Sequence, residues 1–502
     1  MRRLIALATI ALHLAPTTKV NAQSTPAVLA PYVLGSSVYS VRDLAPEIAR
    51  IVGKPASAAS LDALRTAIRT RYVRDGYISP IIAVPTEDLG SATPRLYIHE
   101  ARIKEVVIRG DPGPYRARIE ARLGALRTGA LRKESLREAL LRISKLPGIT
   151  SRPLFDPQPE EPNAFRLVLN LGYDAVHGEL DANNGGTRDL GRVIYAGTLS
   201  LNGLLGTGEL LQFRGATSSH ADRYKYLDAK ATRWFGATLE GFLEGGGSTA
   251  IPDPNTHFSD RNMALGLRHL LLVRGSNSLV LLGTLHGDDS VLHDASNAHL
   301  VDDRIRSVAL GLQLDHSGTL AEISTYLTVD HAARVLGAAS LDSSDSEVNI
   351  AFTKYVFGMT QSVSLSSLWK VRLDIYGQVT SDVLPVVQRY AFGGLGFGEA
   401  FDPASLVGDS GTTVTAEVGR ALTPHLAGIK YATLFARADY GIAWNNASYL
   451  PRKDDAASMS IGLLGKWNRF IGTVSASAPV LQPQYTAPAS SLRALLSVAW
   501  SF

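Results

Sequence analysis

The sequence has no cysteine among its 502 residues. That excludes a disulfide framework and any thiolate metal site. Beyond the N-terminal segment there is no run of about 18 consecutive apolar residues, so no spanning helix is expected there. Net charge is small: 50 Lys and Arg against 46 Asp and Glu give +4. The arginines are scattered, which gives no support to a nucleic-acid role. The histidines show no ligand spacing, so neither metal nor cofactor is expected. What the chain does have is glycine, 45 residues of it, and many short stretches in which apolar and polar residues alternate.

The alternation is clearest at the C-terminus. Leu492, Ala494, Leu496, Val498, Trp500 and Phe502 fall on one side of a strand, and Arg493, Leu495, Ser497, Ala499 and Ser501 on the other. An apolar stripe ending in the aromatics Trp500 and Phe502 suits a strand with lipid outside and a polar lumen inside. Such an edge, with no charge or proline to blunt it, is satisfied by closure into a barrel. Trp369, Val371, Leu373, Ile375 and Val379 alternate in the same way with Lys370, Arg372, Asp374, Tyr376 and Gln378, as do Leu310, Leu312 and Leu314 with Gly311, Gln313 and Asp315. Short turns such as Leu205–Gly208 contrast with longer gaps, as barrel rims require.

At the other end, Arg2 and Arg3 precede an apolar run from Leu4 to Ala15, and Val20-Asn21-Ala22 ends in a small residue. This predicts an export signal over residues 1–22. Two similar segments follow. From Pro31 to Glu100 the pattern is strand, helix, helix, strand, strand, with Leu61, Leu64, Ile68 and Tyr72 on one helical face and Asp75-Gly76 as the stop. The pattern repeats over 101–175, where Pro147-Gly148 ends the second helix. Helical periodicity largely disappears after Ala175.

The order of these parts resembles one family, the two-partner secretion outer-membrane transporters, or haemolysin secretion/activation proteins of the ShlB/FhaC/HecB type. Arg74-Asp75-Gly76-Tyr77 and Leu146-Pro147-Gly148-Ile149 resemble the helix-ending motifs of polypeptide-transport-associated (POTRA) domains. Leu180, Asn184-Gly185-Gly186 and Gly191-Arg192 are similar to the family's first barrel hairpin. The resemblance implies α+β POTRA modules (β-α-α-β-β) at 31–100 and 101–175, then an all-β transmembrane barrel of sixteen antiparallel strands over 176–502. It also implies a loop, 388–411, folded into the lumen.

That loop's tip normally reads Val-Arg-Gly-Phe/Tyr. The matching stretch here contains Phe397-Gly398-Glu399-Ala400-Phe401-Asp402, with Glu399 in place of the arginine. The arginine's usual partner lies in a Phe-x-Asp-x-Gly strand motif, which reads Arg437-Ala438-Asp439-Tyr440-Gly441 here. Two readings follow: a swapped Glu399–Arg437 pair holds the tip, or Glu399 is solvated and Phe401 with the glycines does so. Many members of the family carry a plug helix and linker before the first module. Gln23–Ala30 is too short for both, so no such plug is expected.

The implied function is translocation of an unfolded partner exoprotein, recognised by the modules in the periplasm and passed through the lumen to the cell surface. The candidate edges for strand addition are Ile78–Val84 and Ala164–Leu171. The alternatives are an insertase for other barrel proteins and a passive porin. A monomer in outer-membrane lipid is expected. Catalysis is not: Gly408-Asp409-Ser410-Gly411 is spelled like a serine-protease turn but lacks its companion motifs.

Overall fold

The computed structural model describes residues 25–296, 298–342, 347–422, 428–485 and 492–502; the expected export signal lies outside them. The chain falls into two compact units. One comprises the chain up to Ile108 with 120–139 and 153–169, the other 109–119, 140–152 and 170–502.

In the first module the helix Ala58–Arg74 starts where Ser57 accepts the Ser60 N–H at 3.3 Å. Leu61, Leu64, Ile68 and Tyr72 recur every three or four residues, so one face buries all four. Each full burial of this kind stabilises by about 1.5–3 kcal/mol. Gly76, at φ +86°, turns the chain out of the helix. The helix covers a three-stranded sheet. Arg95–His99 is its centre, parallel to Tyr32–Leu34 and antiparallel to Ile81–Ala83. Leu96 and Ile98 point into the same core as Ile82.

Glu100 follows the central strand and is buried. It accepts hydrogen bonds from Ser37 N (2.8 Å), Val38 N (3.0 Å), Tyr72 Oη (2.8 Å) and Arg102 Nη2 (3.1 Å). Burial alone would raise its pKa. The donors outweigh burial, and its carboxyl sits below the usual range.

Main-chain bonds join the two modules. Ile78 N donates to Leu131 O at 3.0 Å, Lys133 N to Gly76 O at 2.9 Å and Leu131 N to Ala101 O at 2.7 Å. Asn163 Nδ2 reaches His99 O at 2.8 Å. The second module repeats the element order: Arg102–Gly110, helices Arg116–Gly124 and Lys133–Ser144, then Ile149–Pro157 and Ala164–Tyr173. Its sheet order corrects one expectation. Ala164–Tyr173 is the central strand, flanked by Arg102–Gly110 and Ile149–Pro157, so it offers no free edge. Its buried Leu167, Val168 and Leu169 belong to a strand covered on both flanks. Ile81–Ala83 is an edge strand, as expected.

From Val176 onward sixteen antiparallel strands close into a barrel. A further strand of four residues, Ala339–Asp342, pairs with the upper end of His299–Ser317. Closure is made by Arg493–Ser501 on Val176–Asn183, with Trp500 opposite Leu180. The side chains alternate as the sequence requires. Leu310, Leu312 and Leu314 are exposed on the outer face. Gln313 and Asp315, on the inward positions to either side of Leu314, meet in the lumen, where Gln313 Nε2 donates to Asp315 Oδ1 at 2.8 Å. Phe502 completes the join: its N–H and carbonyl both bond to Gly178, at 2.9 and 3.0 Å. A Cβ on Gly178 would lie 2.1 Å from the Phe502 ring, so only glycine admits the ring there. Trp500 and Phe502 stack at 4.8 Å.

Candidate functional site

Between Trp369–Thr380 and Ser410–Leu422 the chain leaves the wall and turns back into the lumen. It forms a small ribbon, Tyr390–Phe392 against Leu406–Gly408, capped by the tip 393–405. Tight turns are made by Gly393, Gly394 and Gly398, all at positive φ. Gly393 N donates to Phe397 O at 3.1 Å and Phe401 N to Gly398 O at 2.9 Å.

An apolar cluster holds the ribbon together inside a polar tube. Tyr390, Phe392, Phe401 and Leu406 are buried against Ala443 and Ala456 of the wall. Phe397 stacks on Tyr376, with ring centres 6.3 Å apart. Gly441 makes the docking possible: a Cβ there would lie 2.5 Å from Phe392 Cδ2. Gly398 likewise leaves room for the Phe392 ring.

Charge fixes the tip. Glu399 is 5% exposed. Its Oε1 accepts from Arg437 Nη1 at 2.6 Å, and its Oε2 from the hydroxyls of Ser475 (3.0 Å) and Ser477 (3.3 Å). Arg437 is shared. Its Nε and Nη2 donate to Glu417 Oε2 at 3.0 and 2.7 Å. The structure thus brings Glu399 and Arg437 together, and does not leave Glu399 solvated. Asp439 is placed differently. Its carboxylate accepts from Thr415 (2.6 Å) and Ser458 (3.1 Å), both in the wall.

On the other side of the tip, Asp402 lies between Arg192 (2.8 Å) and Arg493 (3.1 Å). Arg493 also donates to the Phe401 carbonyl, and to Gly186 O at 3.2 Å. At the base of the loop, Asp409 is fully buried and accepts from Leu384 N (2.8 Å), Asn446 N (2.7 Å) and Arg389 Nε (3.3 Å). Sequence reasoning singled out neither Glu417, Ser475 and Ser477 nor the Arg192–Asp402–Arg493 cluster. The one available signal was Ser475-Ala476-Ser477, small hydroxyls on alternate positions that face inward.

The arrangement is a latch. An apolar ribbon fills part of the lumen, and ionic contacts hold its tip to the wall. Among the described residues no group of acidic or histidine side chains has the geometry of a metal site.

Residues 273–465 match the family model for the haemolysin secretion/activation proteins ShlB/FhaC/HecB, and 32–101 match that for the ShlB-type POTRA domain. The chain belongs to this family. Among solved structures it is similar to CdiB from Escherichia coli, at 19% identity and TM-score 0.76 over 97% of this chain and 93% of that one. CdiB from Acinetobacter baumannii follows at 16% identity and TM-score 0.65, over 95% and 90%. BamA from Haemophilus ducreyi lacking POTRA domains 1–3 is similar at 14% identity and TM-score 0.53, over 95% of this chain and all of that one. These likenesses concern the fold. No curated protein matches the chain in sequence. The family places the barrel in the outer membrane and its POTRA region in the periplasm.

Proposed function

We propose that this protein is an outer-membrane translocator that takes one unfolded exoprotein from the periplasm and passes it through the barrel lumen to the cell surface. Family membership supports two-partner secretion as the class. The observation that carries the mechanism is the ribbon in the lumen, held by exchangeable polar contacts to Arg437, Ser475, Ser477, Arg192 and Arg493.

In this reading residues 31–100 and 101–175 are the two POTRA modules, and 176–502 the barrel with its inward loop 388–411. The exoprotein adds to the exposed edge Ile81–Ala83 by main-chain hydrogen bonds, which give affinity without demanding sequence. It enters the lumen, displaces Glu399 and Asp402 from their cations, and shifts Phe397–Phe401. Gly441 and Arg437 are the wall contacts of the loop. Asp439 acts from behind, by fixing the wall beside Arg437. The protein works as a monomer surrounded by outer-membrane lipid and has no catalytic step.

Deleting residues 31–173 tests the reading. Secretion of the exoprotein into the medium should be lost while ion conductance in planar bilayers persists. Secretion that continues without the modules would overturn it. A general loss of other outer-membrane barrels on deletion would point to the insertase instead.

A further inference from the structure

The strand registers place outward-facing residues in rows. The barrel enters the membrane from the periplasm at Val176, so the far ends of the hairpins lie at the cell surface. Around the strands from Tyr224 to Ser317, one row near that far end reads Leu227, Gly247, Arg261, Asp289, Arg304. The row above it begins Lys225, Thr249, Ser259. The row below reads Ala229, Gly245, Met263, Gly287, Arg306. The next row toward the periplasm, Ala231, Leu243, Leu265, Leu285 and Val308, is wholly apolar, and beyond it Leu267, Leu310 and Leu312 continue the apolar face beside Arg233 and His269. The cations therefore sit at the outer border of the lipid-facing band.

In the row of Lys225 the strand Ile194–Asn202 places Tyr195 outward, an aromatic of the girdle expected of such barrels. In the cationic sector Arg306 is paired with Asp289 at 2.7 Å and Arg304 with Asp302 at 3.3 Å. Lys225 and Arg261 are exposed and have no side-chain partner among the described residues. Between them the glycines Gly245 and Gly247 leave a groove of about 540 Å³, with Leu227 on its flank.

We propose that this groove binds the phosphorylated headgroup of an outer-leaflet lipid. The chemistry is that of a phosphate seated between a lysine and an arginine, with acyl chains running down over the exposed leucines. An arginine offers two parallel N–H donors to phosphate, and a lysine a point charge. The glycine floor lets a bulky headgroup approach the strands closely. The border position favours a lipid over a soluble anion, because the apolar rows directly below the groove would bind its chains.

The test uses full-length protein in phosphatidylcholine nanodiscs seeded with bisphosphorylated lipid A, repurified and assayed by mass spectrometry for retained lipid A. Wild-type protein should retain it, and Lys225→Ser/Arg261→Ser should retain about ten-fold less or lower still. Gly245→Leu keeps both charges and fills the groove. A Cβ there meets nothing nearer than Asn262 O at 3.5 Å, so the barrel tolerates it, and retention should fall as well. Arg420→Ser, at the periplasmic border, should behave as wild type. Heat-modifiable gel mobility establishes that each barrel is folded. If the serine pair does not fold, Lys225→Gln/Arg261→Gln is measured in its place. Equal retention by the charge-removed variant would overturn the proposal. So would equal retention of lipid A stripped of its phosphates, or displacement by inorganic phosphate alone, which would mark a soluble-anion site. Unchanged lipid retention with lost binding of a surface protein would assign the patch to a protein partner and also overturn it.

Discussion

Arg437 serves two carboxylates, and this sets what substitutions can do. Charge reversal, Glu399→Arg, places two cations side by side and should free the loop tip. We expect secretion to fall and single-channel recordings to show larger, noisier openings. The milder Glu399→Gln should cost about 1–3 kcal/mol of loop anchoring, since Arg437 keeps Glu417. Adding Arg437→Glu to Glu399→Arg restores the pair in reverse but leaves two carboxylates facing each other at 417 and 437. Rescue should therefore be partial, and should improve when Glu417→Gln is included. No rescue in either variant would rule out the ion pair as the latch. Glu100 gives a second prediction at this scale. Its folded pKa lies below the usual 4.5, so its stabilisation is fully present above pH 4.5 and is lost as pH falls through the lower folded value. Hydrogen exchange of residues 31–100 in the full protein should accelerate over that acidic window. Glu100→Gln should flatten the dependence.

At the scale of elements, a strand's neighbours decide its role. Ile81–Ala83 has one free flank and Ala164–Tyr173 has none. A photo-reactive residue replacing the exposed Ile81 should trap the exoprotein in transit, whereas one replacing the buried Leu167 should not. Equal capture at both would rule out edge addition at Ile81. The sequence made strand existence legible and strand order not. Period-two alternation at Trp369–Val379 is local, and the strand forms there. Which strand lies centrally in the second module depends on pairings across the helices, and period carries no trace of them. The latch divides the same way. Arg437 and Glu399 stood out because both depart from a short motif. Ser475, Ser477 and Arg493 lie about 75 to 95 residues from their loop partners, and nothing local marks them.

At the scale of the whole molecule, the absence of cysteine makes the chain a clean host for engineered cross-links. Val498 lies opposite Ala182 across the closing join, and Glu399 lies 3.0 Å from the Ser475 hydroxyl. A reducible bismaleimide bridge from Glu399→Cys/Ser475→Cys, long enough to replace the lost glutamate side chain, should stop secretion until a reductant is added. A disulfide from Ala182→Cys/Val498→Cys should leave it largely intact, because the route runs along the barrel axis. The exoprotein recovered from the medium reads both. The reverse pattern would place the route through the wall.

That join is short. It has five registered pairs, supplemented by the Asn184 side chain, which bonds to Ala494 O and Leu496 N at 2.9 and 2.8 Å. The loop adds a tie across it, because Asp402 is held at once by Arg192, just after the first strand, and by Arg493, at the head of the last. A passenger that pushes the ribbon aside therefore also unfastens a clasp on the hoop. On the proposed route the vessel loses part of its girdle while the ribbon is displaced, and regains it once the ribbon is back in place.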